Sequence, residues 1–359
     1  MIKGRTVLGA YFHAADENTR PIDTLPAGVL THLFYAFATC ENGRWQLPPW
    51  AAAHRAALAA RRQDDPDLRI VLSIGGWGAD GFSDAALTPR SRADFVEQTL
   101  ELADGFDGLD LDWEFPVSGG PAEVTHRPED RHHATLLARQ LRDGLDPSRL
   151  LVAALPAGRL QSAGPYDPAD SYELAAFAEQ LDFVNLMTYD FGTGFSPVAT
   201  FNAPLAEVVQ DPLEAELRRW NNVTGAVDYY ERHGVPRDKV VLGVPFYGRG
   251  FRVASAGESA GLYQPQTGTV RVGDWRDIKR DLLPDPAWQR HRHPVARSPW
   301  LHHPGTSTFA SYEDAQSVEE RAAFAARHGL RGAFTWHLGG DDDEHSLLTA
   351  MAHPFRPAA

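Results

Sequence analysis

Short β-branched or aromatic runs recur along the chain, each followed by a longer Ala-, Leu-, Arg- and Glu-rich stretch with helical periodicity. This is the pattern of repeated strand–helix units. The pattern predicts eight strands, at residues 7–12, 32–38, 69–74, 108–113, 150–155, 183–189, 240–246 and 332–336. Helices are predicted between them over 91–102, 133–145, 211–233 and 317–328, the first with Thr88 as N-cap and Pro89 at its first position. Eight alternating units predict an α/β fold, a (β/α)8 TIM barrel rather than a doubly wound sheet. The rhythm breaks once, at residues 251–308, which carry six prolines and little periodicity. A βα loop usually takes about 2–6 residues, so this stretch predicts a small α+β module between strands 7 and 8. The barrel would then comprise residues 1–250 and 309–359, with the module forming one wall of a cleft at its mouth.

Composition narrows the function classes. The 359 residues hold 48 acidic side chains against 34 Lys and Arg, a formal charge of -14. Affinity for a phosphate backbone comes largely from Lys and Arg, so a nucleic-acid partner is not expected. The single cysteine, Cys40, excludes an internal disulfide framework and a Cys-based zinc site; it reads as a small, largely buried apolar side chain. No apolar run approaches the roughly 18–20 residues that span a bilayer, so no membrane partner is expected. Lys3 and Arg5 precede VLGAYF, but that run reads as a strand rather than as an export signal. The chain as written is expected in the cytoplasm, or outside the cell if a leader has been trimmed.

The segment Asp107-Gly-Leu-Asp110-Leu-Asp112-Trp113-Glu114 carries the strongest chemical signal. Strand side chains alternate, so Asp110, Asp112 and Glu114 share one face while Leu109, Leu111 and Trp113 share the other. In a barrel the apolar face packs on the helices, which directs three carboxylates inward. Three like charges cannot all ionise in a confined site, so at least one is expected to hold a proton at neutral pH. A solvated acidic loop would explain the charge but not the alternation with Leu and Trp. Asp107 has the opposite parity and is expected to be structural. Glu114 lies toward the C-terminal end of its strand, where βα barrels place their active sites, and is the natural general acid. Glycoside hydrolysis usually sets two carboxylates on opposite sugar faces, about 5–5.5 Å apart for retention and about 6.5–9.5 Å for inversion. Asp112 shares the wall of Glu114 and is badly placed for the opposite face. A 2-acetamido group on the substrate could supply the nucleophile instead.

DGLDLDWE resembles the acidic signature of the family-18 glycoside hydrolases, the chitinase family. Further motifs match in order over nearly the whole chain. SIGGW at Ser73, Gly75, Gly76 and Trp77 resembles the third-strand motif. MTYD at Met187, Tyr189 and Asp190 resembles the sixth, GVPFYGRGF with Tyr247 and Arg249 the seventh, and GAFTWHL with Trp336 the eighth. The resemblance implies retaining, substrate-assisted hydrolysis of β-1,4 bonds between N-acetylglucosamine units in chitin or chitooligosaccharides. Glu114 would protonate the glycosidic oxygen, Asp112 would orient the acetamido group, Asp110 and Ser73 would support it, and the Tyr189 hydroxyl would align it. Trp336 would form the floor under the reacting sugar and Trp77 a stacking platform on the leaving-group side. Met187, Asp190, Tyr247, Arg249, Phe37 and Tyr11 are expected substrate contacts, with the small Ser73 and Gly75 leaving room beside the acids and Gly76 in a supporting place. No metal or cofactor is implied, the partner is an N-acetylglucosamine oligosaccharide, and the chain is expected to act as a monomer. The first strand, AYFHAA, lacks the aromatic that often follows in the family, and residues 116–130 are rich in His and Pro.

Other readings compete. The pairs His132-His133 and His302-His303 and the run Asp341–His345 lack zincin or EF-hand spacing. No GxGxxG follows the first strand, and GGWGADGF lacks the P-loop lysine. A non-hydrolytic chitooligosaccharide-binding lectin would characteristically lose the terminal acid, which is present here as Glu114. An endo-β-N-acetylglucosaminidase acting on glycoprotein glycans is the nearer alternative, and recruitment of the scaffold to another intracellular reaction is a third.

Overall fold

The computed structural model describes residues 6–159 and 166–356, so Lys3 and Arg5 lie outside the described residues. In chain order the strands are β1 (Val7–His13), β2 (His32–Glu41), β3 (Arg44–Gln46), β4 (Arg69–Gly75), β5 (Gly108–Asp112), β6 (Leu150–Pro156) and β7 (Phe183–Met187). They continue as β8 (Val240–Pro245), β9 (Arg249–Val253), β10 (Gln266–Val270), β11 (Gln289–Arg292), β12 (Pro299–His303), β13 (Thr308–Ser311) and β14 (Gly332–Trp336). Eight of them pair in parallel in the order β1-β2-β4-β5-β6-β7-β8-β14, and β14 returns to β1, which closes a (β/α)8 barrel. The predicted eight strands are these eight.

The alternation that defines β5 also places its two faces. Leu109, Leu111 and Trp113 pack in the layer between strands and helices, while Asp110 and Asp112 turn inward. Burying each leucine contributes roughly 1.5–3 kcal/mol, which fixes the register and so the inward aim of the acids. Asp107, at the opposite end, accepts from the backbone N–H of Ile70 at 2.7 Å and pairs with Arg62 at 2.8 Å, a structural role. The helix Pro89–Leu102 starts as expected, with Thr88 and Ser91 forming a reciprocal cap.

Two expectations change. The continuous helix over 211–233 is two helices, Ala215–Trp220 and Val223–Arg232. Asn222 stops the first and caps the second by accepting from Gly225 N–H at 2.8 Å. A Cβ on Gly225 would stand 1.9 Å from the Arg219 carbonyl oxygen, so only glycine permits the turn to close this tightly. Between β8 and β14 runs an antiparallel sheet of order β10-β9-β13-β12-β11. It begins at Arg249 and ends at Ser311, so its first and last strands in chain order, β9 and β13, reach past both ends of the expected 251–308 insertion; the pairing of these two sets its limits, not the loss of helical periodicity.

One buried ion pair joins the barrel to this sheet. Arg321, fully buried in the helix Ala315–Arg327, pairs with Glu313 at 2.9 Å and donates to the Ser317 carbonyl, to Ser298 Oγ at 2.8 Å and to the Ala203 carbonyl. Burial raises the Glu313 carboxyl to about 7 against the pull of Arg321. Arg321→Met strands that carboxyl and is expected to cost about 3–5 kcal/mol at pH 8. The loss should shrink at pH 5, where Glu313 can take up a proton. Urea unfolding at the two pH values measures both, and equal losses would contradict the pairing.

Candidate active site

The deeper inward acid of β5, Asp110, meets donors from two other strands, one of them held in turn by a third. Asp110 Oδ2 accepts from Ser73 Oγ of β4 at 2.7 Å and from Tyr11 Oη of β1 at 2.8 Å, and Asn185 Nδ2 of β7 donates to Tyr11 Oη at 2.9 Å. Burial raises the Asp110 carboxyl to about 6, although the bonds from Ser73 and Tyr11 pull it down. Asp112 has no such donors. Burial first, then the charges of Glu114 and Asp110, push it well above the usual carboxylate range. Asp110 Oδ1 and Asp112 Oδ1 are buried without a hydrogen-bond partner among the described residues, so a proton on Asp112 lowers the cost of keeping the two acids on one strand. Glu114, at the open end, is raised to about 8 by burial and by the charge of Asp190. It is therefore mostly protonated at neutral pH, as a general acid must be.

Glycines make the ladder fit. Gly75, at φ +109°, passes so close beneath β5 that a Cβ would lie 2.2 Å from the Asp112 carbonyl oxygen, and Gly76 N–H donates to that same oxygen at 2.8 Å. A Cβ on Gly76 would meet the Phe37 ring at 2.6 Å. Gly75 lets one strand end pass under the next beside Asp112, and Gly76 makes room for the Phe37 ring.

Asp190 follows β7 with φ +57°, and this left-handed turn sends its carboxylate across to β8 and the sheet beyond. Tyr247 Oη donates to Asp190 Oδ1 at 2.7 Å. Arg249 holds both oxygens, Nε to Oδ1 at 2.8 Å and Nη2 to Oδ2 at 2.7 Å, while the Asp190 N–H donates to Asn202 Oδ1 at 2.9 Å. Tyr247 and Arg249 thus line the cleft and also fix the charge that bears on Glu114. Replacing Asp190 by Asn removes a negative charge that favours the protonated acid and leaves Arg249 uncompensated. Both effects lower the Glu114 value, so the alkaline limb of the kcat–pH profile should move acidward from about 8. A limb that stays in place or moves alkaline would refute the coupling.

These groups open on a cleft of about 1310 Å³ across the C-terminal mouth of the barrel. Tyr11, Phe37, Gly75, Trp77, Asp112, Glu114, Met187, Tyr189, Asp190, Tyr247, Arg249 and Trp336 all line it. Asp110 and Ser73 lie beneath, out of contact with it. Trp336 stacks on Phe37 at 5.5 Å between centroids, and Trp77 is 55% exposed at the rim, its ring 6.4 Å from Phe115, the residue after the acid. Cys40 is only half-buried and also borders the cleft. The structure adds residues to which the motifs gave no role: His13, His337, Asp274 and Phe195 in the lining, and buried Asn202 behind Asp190. His337 was findable as the neighbour of Trp336; Asn202 stands in no spacing relation to Asp190 that a strand or helix period would reveal. Among the described residues no three His, Cys, Asp or Glu side chains group so as to hold a metal ion, and no helix is long and apolar enough to cross a membrane.

A closed barrel with an inward acid ladder is the setting in which family comparison becomes decisive. The model of glycosyl hydrolases family 18 matches residues 8–341. The chain belongs to this family. Among the relatives it matches, Chitinase A1 of Niallia circulans is 36% identical over 319 residues, covering 84% of this chain and 44% of that protein. Chitotriosidase-1 of Mus musculus is 32% identical over 355 residues, covering 93% of this chain and 72% of the relative. The solved structure of chitinase ChiA74 from Bacillus thuringiensis superposes with a TM-score of 0.87 at 27% identity, covering 99% of this chain and 71% of that one. The chain thus spans less than half the length of Chitinase A1 and about seven-tenths of the other two.

Proposed function

We propose that this family-18 chain hydrolyses β-1,4 bonds between N-acetylglucosamine units of chitin or chitooligosaccharides, with retention and with the substrate's acetamido oxygen as nucleophile. The observation that carries this reading is the ladder itself: Glu114 at the cleft, its carboxyl raised to about 8, with Asp112 and Asp110 stepping inward along the strand that leads to it. The names of the relatives support the same substrate class.

Glu114 gives its proton to the glycosidic oxygen as the bond to the anomeric carbon breaks. The acetamido carbonyl oxygen attacks that carbon from the opposite face and forms a cationic oxazolinium. Asp112 accepts the acetamido N–H and, as it shares its proton with Asp110, places negative charge beside the cation. Tyr189 donates its hydroxyl to the acetamido oxygen and aligns it. Water then attacks from the vacated face and gives its proton to Glu114, which restores the amide and leaves the product in the β configuration. Trp336 lies under the apolar face of the reacting sugar and keeps water from the cation. Trp77 stacks on the leaving group, and Met187, Tyr247, Arg249, Asp190 and Phe37 shape the site around the acetamido arm.

The test is digestion of chitooligosaccharides of increasing length with the anomer of the first product read by NMR. The β anomer is expected. An α anomer first formed, or release of N-glycans with no action on chitooligosaccharides, would overturn the reading.

A further inference from the structure

Beyond Trp336 the cleft is lined by polar groups that the mechanism leaves unused. Tyr11 of β1 points inward to Asp110, Phe12 packs outward among the helices, and His13 is inward again, two residues or about 6–7 Å nearer the mouth. His13 is exposed to the cleft, its ring 5.5 Å from Trp336 and 5.9 Å from His337. His337 also lies beside Trp336, at 5.6 Å, so the three rings form a near-equilateral cluster, and its Nε2 is 3.7 Å from Asp274 Oδ2. Asp274 reaches the cleft from the inserted segment, where it forms a backbone bridge with Tyr247. Two imidazoles and a carboxylate thus stand together beside the indole, open to the cleft.

Trp77 sits beside the acid, so the leaving group departs on that side. Units that stay joined to the reacting sugar continue past Trp336 toward His13. We propose that His13 and His337, backed by Asp274, are specificity-determining residues that hydrogen-bond the hydroxyls of the uncharged pyranose preceding the reacting sugar. This rests on the hydrolase reading above and adds to it the groups that select the next unit. An imidazole in its neutral form offers one donor and one acceptor, as a sugar hydroxyl does, while the His337 ring N–H can donate to a hydroxyl and the Asp274 carboxylate can accept from one or orient His337. Partial desolvation and the neighbouring His337 push the His13 imidazole below its usual value, against the smaller opposing pull of Asp16 and Asp274, so His13 is neutral at pH 7.

The test is kcat/KM on an aryl β-glycoside of N,N′-diacetylchitobiose, in which the aryl leaving group is constant and the second sugar must lie past Trp336. The double variant His13→Ala, His337→Ala should lose about tenfold, mostly through KM, as expected for two hydrogen bonds to a neutral partner. His13→Gln with His337 intact should keep most of the activity. Unfolding midpoints of all variants exclude loss of fold as the cause. An active wild type with the double variant within twofold of it overturns this assignment alone. A wild type that neither binds nor cuts the glycoside or chitooligosaccharides overturns the hydrolase reading and the assignment with it.

Discussion

Glu114→Gln is expected to lower kcat on chitooligosaccharides by roughly 10²–10⁴-fold, the range for removing a positioned general acid. The amide keeps the size and shape of the carboxyl, so oligosaccharide affinity should stay within a few-fold of the parent. The reason lies in where the proton is held. Glu114 stands at the outer end of the ladder, its carboxyl raised to about 8, whereas Asp110 is buried beneath and engaged by Ser73 and Tyr11. Asp112 also borders the cleft, but it stands two residues further in, and the proposed mechanism turns it to the acetamido arm rather than to the leaving oxygen. Single-turnover kinetics and calorimetric binding separate the two quantities. A variant that keeps near-parental turnover would mean another group is the donor.

The second large effect is on the substrate. A chitosan oligomer with free amines in place of every acetamido group should be cut slower by on the order of 10³-fold or more, since a well-placed internal nucleophile is worth an effective molarity of about 10⁵–10⁸ M. The ladder holds no replacement under the proposed mechanism: Asp112 precedes Glu114 by two residues on the same wall, whereas a nucleophile would have to stand on the opposite face of the sugar. Oligomers of mixed acetylation provide the internal control, because cleavage should fall only after acetylated residues. Mass spectrometry of the new reducing ends reads this directly, and frequent glucosamine there would sink the substrate-assisted route.

Much of this was legible in one strand. The alternation of Leu and Asp through residues 108–114 carried both the barrel register and the inward aim of the acids, because a slip of one residue would turn the leucines into the barrel interior. Thr88 and Pro89 likewise marked a helix start that the structure retains. What stayed hidden depends on contacts between distant segments. Tyr11 and Asp110 are 99 positions apart, and the sequence suggested a sugar contact for Tyr11, whereas its hydroxyl is spent on Asp110 at 2.8 Å. Tyr247 and Arg249 read as substrate contacts, but their grip on Asp190 follows from a left-handed turn that no periodicity encodes. The break at Asn221–Asn222 escaped notice because helical periodicity resumes after it with little change of phase.

The start of β9 at Arg249, four residues after β8 ends, ties two properties that could have been separate. The residue that opens the side wall of the groove also neutralises the carboxylate beside the proton donor. Grafting a taller or shorter wall onto this scaffold, by evolution or by design, would therefore retune the acidity of the donor along with the number of sugars the groove admits.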